Sequence, residues 1–269
     1  MLGRAEHGTL GGAVFVQWPD GRPGVVTRFI GTLFEAQRTA NVLELARRRD
    51  LPVPRHELVM EVEEAVIVVQ ERLPGSPPAQ VTPAVVDAMV ELNDRFAGAL
   101  ADHPGVPLLP LCLDGTGDRY PRHETLAAYS DRGRRILDAI RRIDAEAPGE
   151  MAGSDLLHID LTGPNVLFDD AGAVTGIVDW NLGAYRGDRH LALVKTRFEE
   201  EWGIHSQPEN PNAVASAAYL DQILAERVPP VTLRRYWAHR ILYQLYWAIN
   251  ELPPEVLDWH FEVAESRLL

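Results

Sequence analysis

The chain has 269 residues, of which 46% are hydrophobic and 24% charged, as in an ordinary soluble globular protein with room for one large or two modest domains. Its formal net charge of -13 argues against nucleic acid as a partner, because binding a phosphate backbone requires a basic surface. No apolar run approaches the roughly 20 residues of a membrane span, and Cys112 is the single cysteine. We therefore expect a cytoplasmic protein without disulfide bonds, whose oligomeric state the sequence does not reveal.

The first 73 residues or so predict a small β-sheet with one helix. A glycine-rich segment that includes Gly11 and Gly12 precedes strands at 13–18 and 25–30. Such a segment can bring backbone N–H groups close to phosphates, although glycine-rich stretches are also common as plain turns. The spacing of apolar residues over 34–49 predicts a helix with one buried face, and strands follow at 57–62 and 65–71.

The rest of the chain reads as mainly helical. Helices are expected over 83–101, 124–146, 191–202, 213–227 and 233–251, with a last one from about 253 and a long loop over 103–121. Three consecutive glutamates, Glu199 to Glu201, lie in one of these helices. They fit either a solvated helix face or an acidic wall for an ammonium-bearing ligand, and both interpretations stay open.

The chain is organised around residues 158–181. His158, Asp160 and Asn165 form an H-x-D-x-x-x-x-N pattern, after which a predicted hairpin ends in Asp179. Asp160 could accept a proton from an attacking hydroxyl, while Asn165 and Asp179 offer the oxygen ligands that Mg²⁺ prefers. Asp and Asn also favour hairpin ends without any chemical role. The order Asp160, Asn165, Asp179 favours a role in phosphoryl transfer. We expect His158 to hold the loop in place rather than to transfer protons.

This stretch resembles the catalytic and metal-binding segment of the aminoglycoside phosphotransferase and choline kinase family, relatives of the protein kinases. The resemblance implies an α+β, two-lobed, protein-kinase-like fold. A nucleotide-binding lobe with a small antiparallel sheet and one helix would span 1–73, and a larger, mainly helical catalytic and acceptor-binding lobe would span 74–269. The resemblance also implies Asp160 as the catalytic base and Asn165 and Asp179 as magnesium ligands. The chain departs from the family pattern at Arg189, where Pro is usual, and at His190, where Asp is usual.

The same resemblance implies a nucleotide site between the lobes. The loop of Gly11 and Gly12 would cover the phosphates, and Arg28 would take the place of the family's strand lysine. Glu35 would pair with Arg28, with Glu44 as the competing partner. The hinge would contact the adenine edge through its backbone and consists of Gln70, Glu71, Arg72 and Leu73.

The implied activity is that of a magnesium-dependent small-molecule kinase. It would transfer the γ-phosphoryl group of ATP or GTP to a hydroxyl of an antibiotic-like acceptor, either an aminoglycoside or another hydroxylated natural product. Such an acceptor could be cationic, and the reaction would give antibiotic inactivation or self-resistance. The alternatives are a kinase of a primary metabolite, such as an amino alcohol or amino sugar, and a catalytically dead nucleotide-binding pseudokinase. The second is motivated by the missing strand lysine, since the only lysine in the chain is Lys195.

Overall fold

The computed structural model describes residues 3–4, 13–146 and 151–269. Its first part is an antiparallel sheet, formed by β1 (Gly3–Arg4), β2 (Val14–Gln17), β3 (Pro23–Phe29), β4 (His56–Val62) and β5 (Ala65–Glu71). The strands lie side by side in the order β1-β2-β3-β5-β4. Helix α1 (Leu33–Arg47) connects β3 to β4, two strands that β5 separates in the sheet.

Helix α1 begins at a capping box. The Thr32 hydroxyl accepts a hydrogen bond from the Glu35 backbone N–H at 3.2 Å, and the Glu35 carboxylate accepts one from the Thr32 N–H at 2.7 Å. One turn of the helix packs on the sheet, where Ala36 joins Phe29, Val66 and Val68 in a small apolar cluster. The helix therefore covers the sheet face to which alternate residues of β3 and β5 point.

The second part of the chain is mainly helical. Its helices are α2 (Pro83–Asp94), α3 (Arg122–Tyr129), α4 (Asp131–Glu146), α5 (His190–Ser206), α6 (Pro211–Arg227), α7 (Pro230–Glu251) and α8 (Pro254–Leu268). Two small antiparallel pairs accompany them, β6 (Asp155–His158) with β9 (Ala184–Gly187) and β7 (Val166–Phe168) with β8 (Val174–Ile177). The larger apolar core lies here and includes Phe96, Trp180 and Phe198. The predicted fold class, a small antiparallel sheet with one helix followed by a larger helical part, is confirmed.

Several predicted boundaries differ from the structure. The helix expected over 83–101 ends at Asp94 and continues as turns. The helix expected over 124–146 is two helices, because Ser130 adopts an extended conformation and its hydroxyl accepts a hydrogen bond from the Gly133 N–H at 3.1 Å. Strands β6 and β9, which pair with each other, were not predicted. In the described part of the chain, no helix has the length and apolar character needed to cross a bilayer.

The segment after β5 is bonded to the β7–β8 hairpin. Ser76 and Phe168 exchange two backbone hydrogen bonds of 3.0 and 2.9 Å, and the Thr175 hydroxyl donates to the Pro74 carbonyl at 2.7 Å. From the other side, the Ile177 N–H donates to the Pro52 carbonyl at 2.9 Å. The hairpin that carries Asp179 is thus held between two chain segments that flank the sheet.

Candidate active site

His158 ties the loop after β6 to the end of β8. The side chain is 2% exposed, its Nε2 lies 3.0 Å from the Val178 carbonyl, and its Nδ1 accepts from the Asp160 N–H at 3.2 Å. These partners assign the ring proton to Nε2. Burial lowers the pKa of His158 to about 4, so the ring is neutral at physiological pH. It holds the loop in place and carries no charge.

Asp160 is ionised and held at both carboxylate oxygens. Asn165 Nδ2 donates to Asp160 Oδ2 at 3.1 Å and to the Asp160 carbonyl at 2.9 Å. Lys195 Nζ lies 3.4 Å from Asp160 Oδ1. Burial is the largest single influence on Asp160 and would raise its pKa, but the interactions with Lys195, His158 and Arg240 together outweigh it and lower the pKa below its ordinary value. The carboxylate is therefore a proton acceptor at neutral pH.

Asp179 follows β8 in a left-handed backbone conformation, with φ of 63°. Its Oδ1 accepts from Asn181 Nδ2 at 2.7 Å, while burial and the charge of Asp160 raise its pKa. Because Nδ2 of Asn165 is used by Asp160, the amide oxygen of Asn165 is the atom left for a ligand. Two half-buried acidic groups and an amide oxygen suit a hard divalent cation.

In the described ranges, no cluster of three His, Cys, Asp or Glu side chains could hold a metal ion by itself. A divalent ion held by Asn165 and Asp179 would take its other ligands from phosphates and water, as is usual for magnesium.

Asn181 connects the segment that carries Asp179 to the sheet, which the sequence did not indicate. Its carbonyl accepts from the Ile30 N–H at 2.9 Å, and its side-chain Oδ1 accepts from the Thr27 hydroxyl at 2.9 Å. Thr27 is 7% exposed, whereas Arg28 is exposed. Successive side chains of a strand point to opposite faces, so Thr27, and not Arg28, faces the segment that carries Asp179. The expected position of Arg28 inside the site is wrong by one residue of strand register.

The expected ion pair between Arg28 and Glu35 does not form. Glu35 pairs with Arg119 of the loop before α3, and this contact lowers the pKa of Glu35 to about 2. Glu44, the competing candidate, lies 4.0 Å from Arg47 and 3.6 Å from Arg48 on α1 itself. Gly11 and Gly12 lie outside the described residues.

The hinge residues lie at the end of β5, as expected. Gln70 is buried, and the guanidinium carbon of Arg72 lies 4.2 Å from the ring centre of Phe15 on β2. Glu71 pairs with Arg47 and accepts from the Arg55 N–H at 3.0 Å.

Leu73 packs against the β7–β8 hairpin so closely that a Cβ at Gly176 would lie 2.6 Å from its Cδ1. The hinge thus adjoins the hairpin whose far end carries Asp179.

The three consecutive glutamates of α5 are not a solvated face. Glu200 is 5% and Glu201 8% exposed, and Glu201 forms an ion pair of 2.7 Å with Arg197. Glu199 pairs at 2.6 Å with Lys195, the residue that also contacts Asp160. The sequence did not indicate the contact of Lys195 with Asp160, because a helical residue 35 positions after Asp160 shares no local pattern with it.

The two residues that depart from the family pattern both form polar contacts in the structure. Arg189 forms ion pairs with Asp155 at 3.2 Å and with Asp94 at 3.1 Å, so it connects β6 to α2. His190 Nδ1 lies 2.7 Å from Asp188, which also accepts from the Tyr236 hydroxyl at 2.8 Å. These contacts stabilise the chain between β9 and α5.

Residues 4–191 match the model of the phosphotransferase enzyme family. The chain belongs to this family. No curated protein matches the chain in sequence.

Solved structures of phosphotransferases share the fold of this family member. A thermostable mutant of the aminoglycoside phosphotransferase APH(4)-Ia is 20% identical, with a TM-score of 0.72 over 98% of this chain and 92% of that one. Another thermostable APH(4)-Ia mutant, in ternary complex with ADP and hygromycin B, is 19% identical, with a TM-score of 0.73 over the same shares of 98% and 92%. The macrolide 2'-phosphotransferase MphH from Brachybacterium faecium is 17% identical, with a TM-score of 0.57 over 98% and 91%.

Proposed function

We propose that this phosphotransferase is a magnesium-dependent kinase that transfers the γ-phosphoryl group of ATP or GTP to a hydroxyl of an antibiotic-like small molecule. The acceptor would be an aminoglycoside or another hydroxylated natural product, and the outcome antibiotic inactivation or self-resistance in the cytoplasm. One observation supports this most: the ionised Asp160 is held by Asn165 and Lys195, in a loop that His158 binds to the segment of Asp179. A structural relative with ADP and hygromycin B bound supports the same choice.

In this mechanism Asp160 orients the acceptor hydroxyl and takes its proton as the oxygen attacks the γ-phosphorus, while the bond from that phosphorus to the β–γ bridging oxygen breaks and the nucleoside diphosphate leaves. Asn165 keeps the carboxylate in position, and His158 keeps the loop backbone in position. Asn165 and Asp179 would hold the magnesium ion, which when bound neutralises phosphate charge. Lys195 keeps Asp160 ionised without protonating it.

The nucleotide would lie between the sheet and the β7–β8 hairpin. We propose that the backbone of Gly11 and Gly12 covers the phosphates and that the backbone of Gln70 to Leu73 contacts the base. The contact of Leu73 with Gly176 supports this place, because it puts the hinge next to the hairpin that ends in Asp179. The choice between ATP and GTP depends on which backbone donors and acceptors the base meets there.

A pseudokinase is the second candidate, and one observation favours it. The strand position that faces the site is Thr27, which is neutral and bonded to Asn181, so β3 supplies no cation to the phosphates there. A kinase of an amino alcohol or amino sugar remains the other alternative for the acceptor. The retained set of Asp160, Asn165 and Asp179 argues for catalysis over a binding-only role.

The test is a screen of hydroxylated antibiotics, amino alcohols and amino sugars for Mg²⁺-dependent consumption of ATP and GTP. We expect acceptor-dependent turnover that Asp179→Ala abolishes. Asp170→Ala is the matched control, because this exposed aspartate lies in the turn of the same hairpin and should keep full activity. Nucleotide binding without turnover for any acceptor, unchanged in Asp179→Ala, would favour the pseudokinase.

A further inference from the structure

Arg240 of α7 is a buried cation without a protein counter-ion in the described part of the chain. The residue is 9% exposed, and no carboxylate oxygen of the described residues lies within 4.0 Å of its guanidinium nitrogens. Its Nη2 donates to the amide oxygen of Gln244, and its Nε is buried without a hydrogen-bond partner. A guanidinium carries five N–H donors, so most of its capacity is not met by these contacts.

The groups around Arg240 do not replace an anion. Gln244 is neutral, and its Nε2 donates to His260 Nε2 at 3.1 Å. His260 in turn has its Nδ1 2.9 Å from the Val256 carbonyl, and burial lowers its pKa to about 4, so it is neutral as well.

The rings of Phe198 and Tyr243 lie 5.5 and 5.0 Å from the Arg240 guanidinium carbon. Ring and amide contacts are weaker than the cost of removing a charged group from water. The Arg240 guanidinium is therefore removed from water without a carboxylate beside it to neutralise its charge.

Arg240 packs against α5, the helix that carries Lys195. It contacts the ring of Phe198, the residue next to Glu199, and Glu199 and Asp160 are among the charges that act on it. Both of those carboxylates are bonded to Lys195, at 2.6 and 3.4 Å. The charges of Arg240 and the proposed base thus act on each other, while the carboxylates of Asp160 and Glu199 are engaged by another cation, Lys195.

We propose that Arg240 binds a carboxylate of the acceptor, so that the acceptor is a hydroxylated acid and not an ammonium-bearing compound; this rests on the proposed kinase function. The planar fork of a guanidinium matches the two oxygens of a carboxylate. A carboxylate at Arg240 directs a neighbouring hydroxyl toward Asp160. The acidic-wall hypothesis loses support for the same reason, since Glu199 and Glu201 are paired with Lys195 and Arg197.

The phosphoryl group in transfer also carries negatively charged oxygens that a guanidinium can bind. A binding experiment distinguishes a carboxylate at Arg240 from a phosphoryl group. The melting temperature is measured with glycerate, with glycerol as its neutral counterpart and with inorganic phosphate, at constant ionic strength and with chloride as reference. We expect glycerate, but not glycerol, to raise the melting temperature of the wild type. No difference between glycerate and chloride would overturn the proposal, as would a rise with phosphate alone.

Variants test whether Arg240 is responsible. Arg240→Met should remove the glycerate effect, and Arg240→Gln, which can still bond Gln244, serves if the Met variant does not fold. Arg141→Met is the control, because this half-exposed arginine of α4 pairs with Asp138 at 3.5 Å, and with no other acidic residue of the described chain, and should leave the effect unchanged. An equal glycerate effect in the wild type and in Arg240→Gln would also overturn the proposal.

Turnover gives a second readout, in which each active hydroxy acid is compared with its primary amide. We expect the wild type to favour the acid in kcat/KM by about tenfold or more, and Arg240→Gln to lose this ratio mainly through KM. A ratio near one in the wild type contradicts the inference. Mg²⁺-dependent turnover of ATP or GTP with any acceptor of the screen tests the kinase function separately from glycerate binding, so that either can fail while the other stands.

Discussion

Replacing the buried Glu200 by Gln should stabilise the protein at alkaline pH. Burial, and then the charge of Glu199, raise the pKa of Glu200 from 4.5 to about 7. The unfolded chain loses this proton near pH 4.5 and the folded protein only near pH 7, so the unfolding free energy falls as pH rises between these values. Relative to a protein in which Glu200 stays protonated, the unfolding free energy is lower by about 3 kcal/mol at pH 8 and by under about 1 kcal/mol at pH 5.

The assay is denaturation by urea at pH 5 and at pH 8 for the wild type and Glu200→Gln. Glutamine has nearly the same shape and no charge, so its gain in unfolding free energy should approach about 3 kcal/mol at pH 8 and nearly vanish at pH 5. Glu262→Gln, at an exposed position of α8, is the control and should show no such dependence. A gain of equal size at both pH values, or a loss at pH 8, would refute the reasoning.

Three further predictions concern the loop, the lobe connection and the sheet. His158→Ala should lower kcat but leave the pH dependence of the rate between pH 6 and pH 8 unchanged, because a ring with a pKa of about 4 is already neutral throughout this range; a changed profile there would show that His158 titrates. Gly75→Ala should cost about 2 kcal/mol of unfolding free energy in urea, since Gly75 has φ of 94° and the new Cβ would lie 2.6 Å from the Phe168 carbonyl oxygen; unchanged stability would contradict this. Thr27→Val should lose about 1 kcal/mol and raise the KM for the nucleotide, because the hydroxyl holds β3 to the metal segment. An unchanged KM would mean that this bond does not position the nucleotide site.

The residues that the sequence placed together are those within one local structure. Asp160 and Asn165 share a loop, and Asp179 is joined to that loop by a hairpin whose turn residues are evident in the sequence. The covalent path is short, so their spacing alone brings them near one another. The apolar period likewise predicts most helices, because it depends only on residues within a few turns.

The errors arise where tertiary contacts decide. Arg28 and Thr27 are adjacent, and only the pairing of β3 with β5 determines which one faces the site. Lys195 of α5 contacts Asp160, which lies in the loop after β6, and no pattern in the sequence predicts such a contact. Glu200 is buried because α5 packs against α6, which a run of three glutamates does not show.

The central claim is that Asp160 is the base in a phosphoryl transfer, and Asp160→Ala tests it most directly. Nucleotide affinity is measured by calorimetry with Mg²⁺ present, and turnover is measured with an acceptor found in the screen. We predict an affinity near that of the wild type together with a loss of turnover of at least about a hundredfold. Retained turnover in Asp160→Ala would contradict the account.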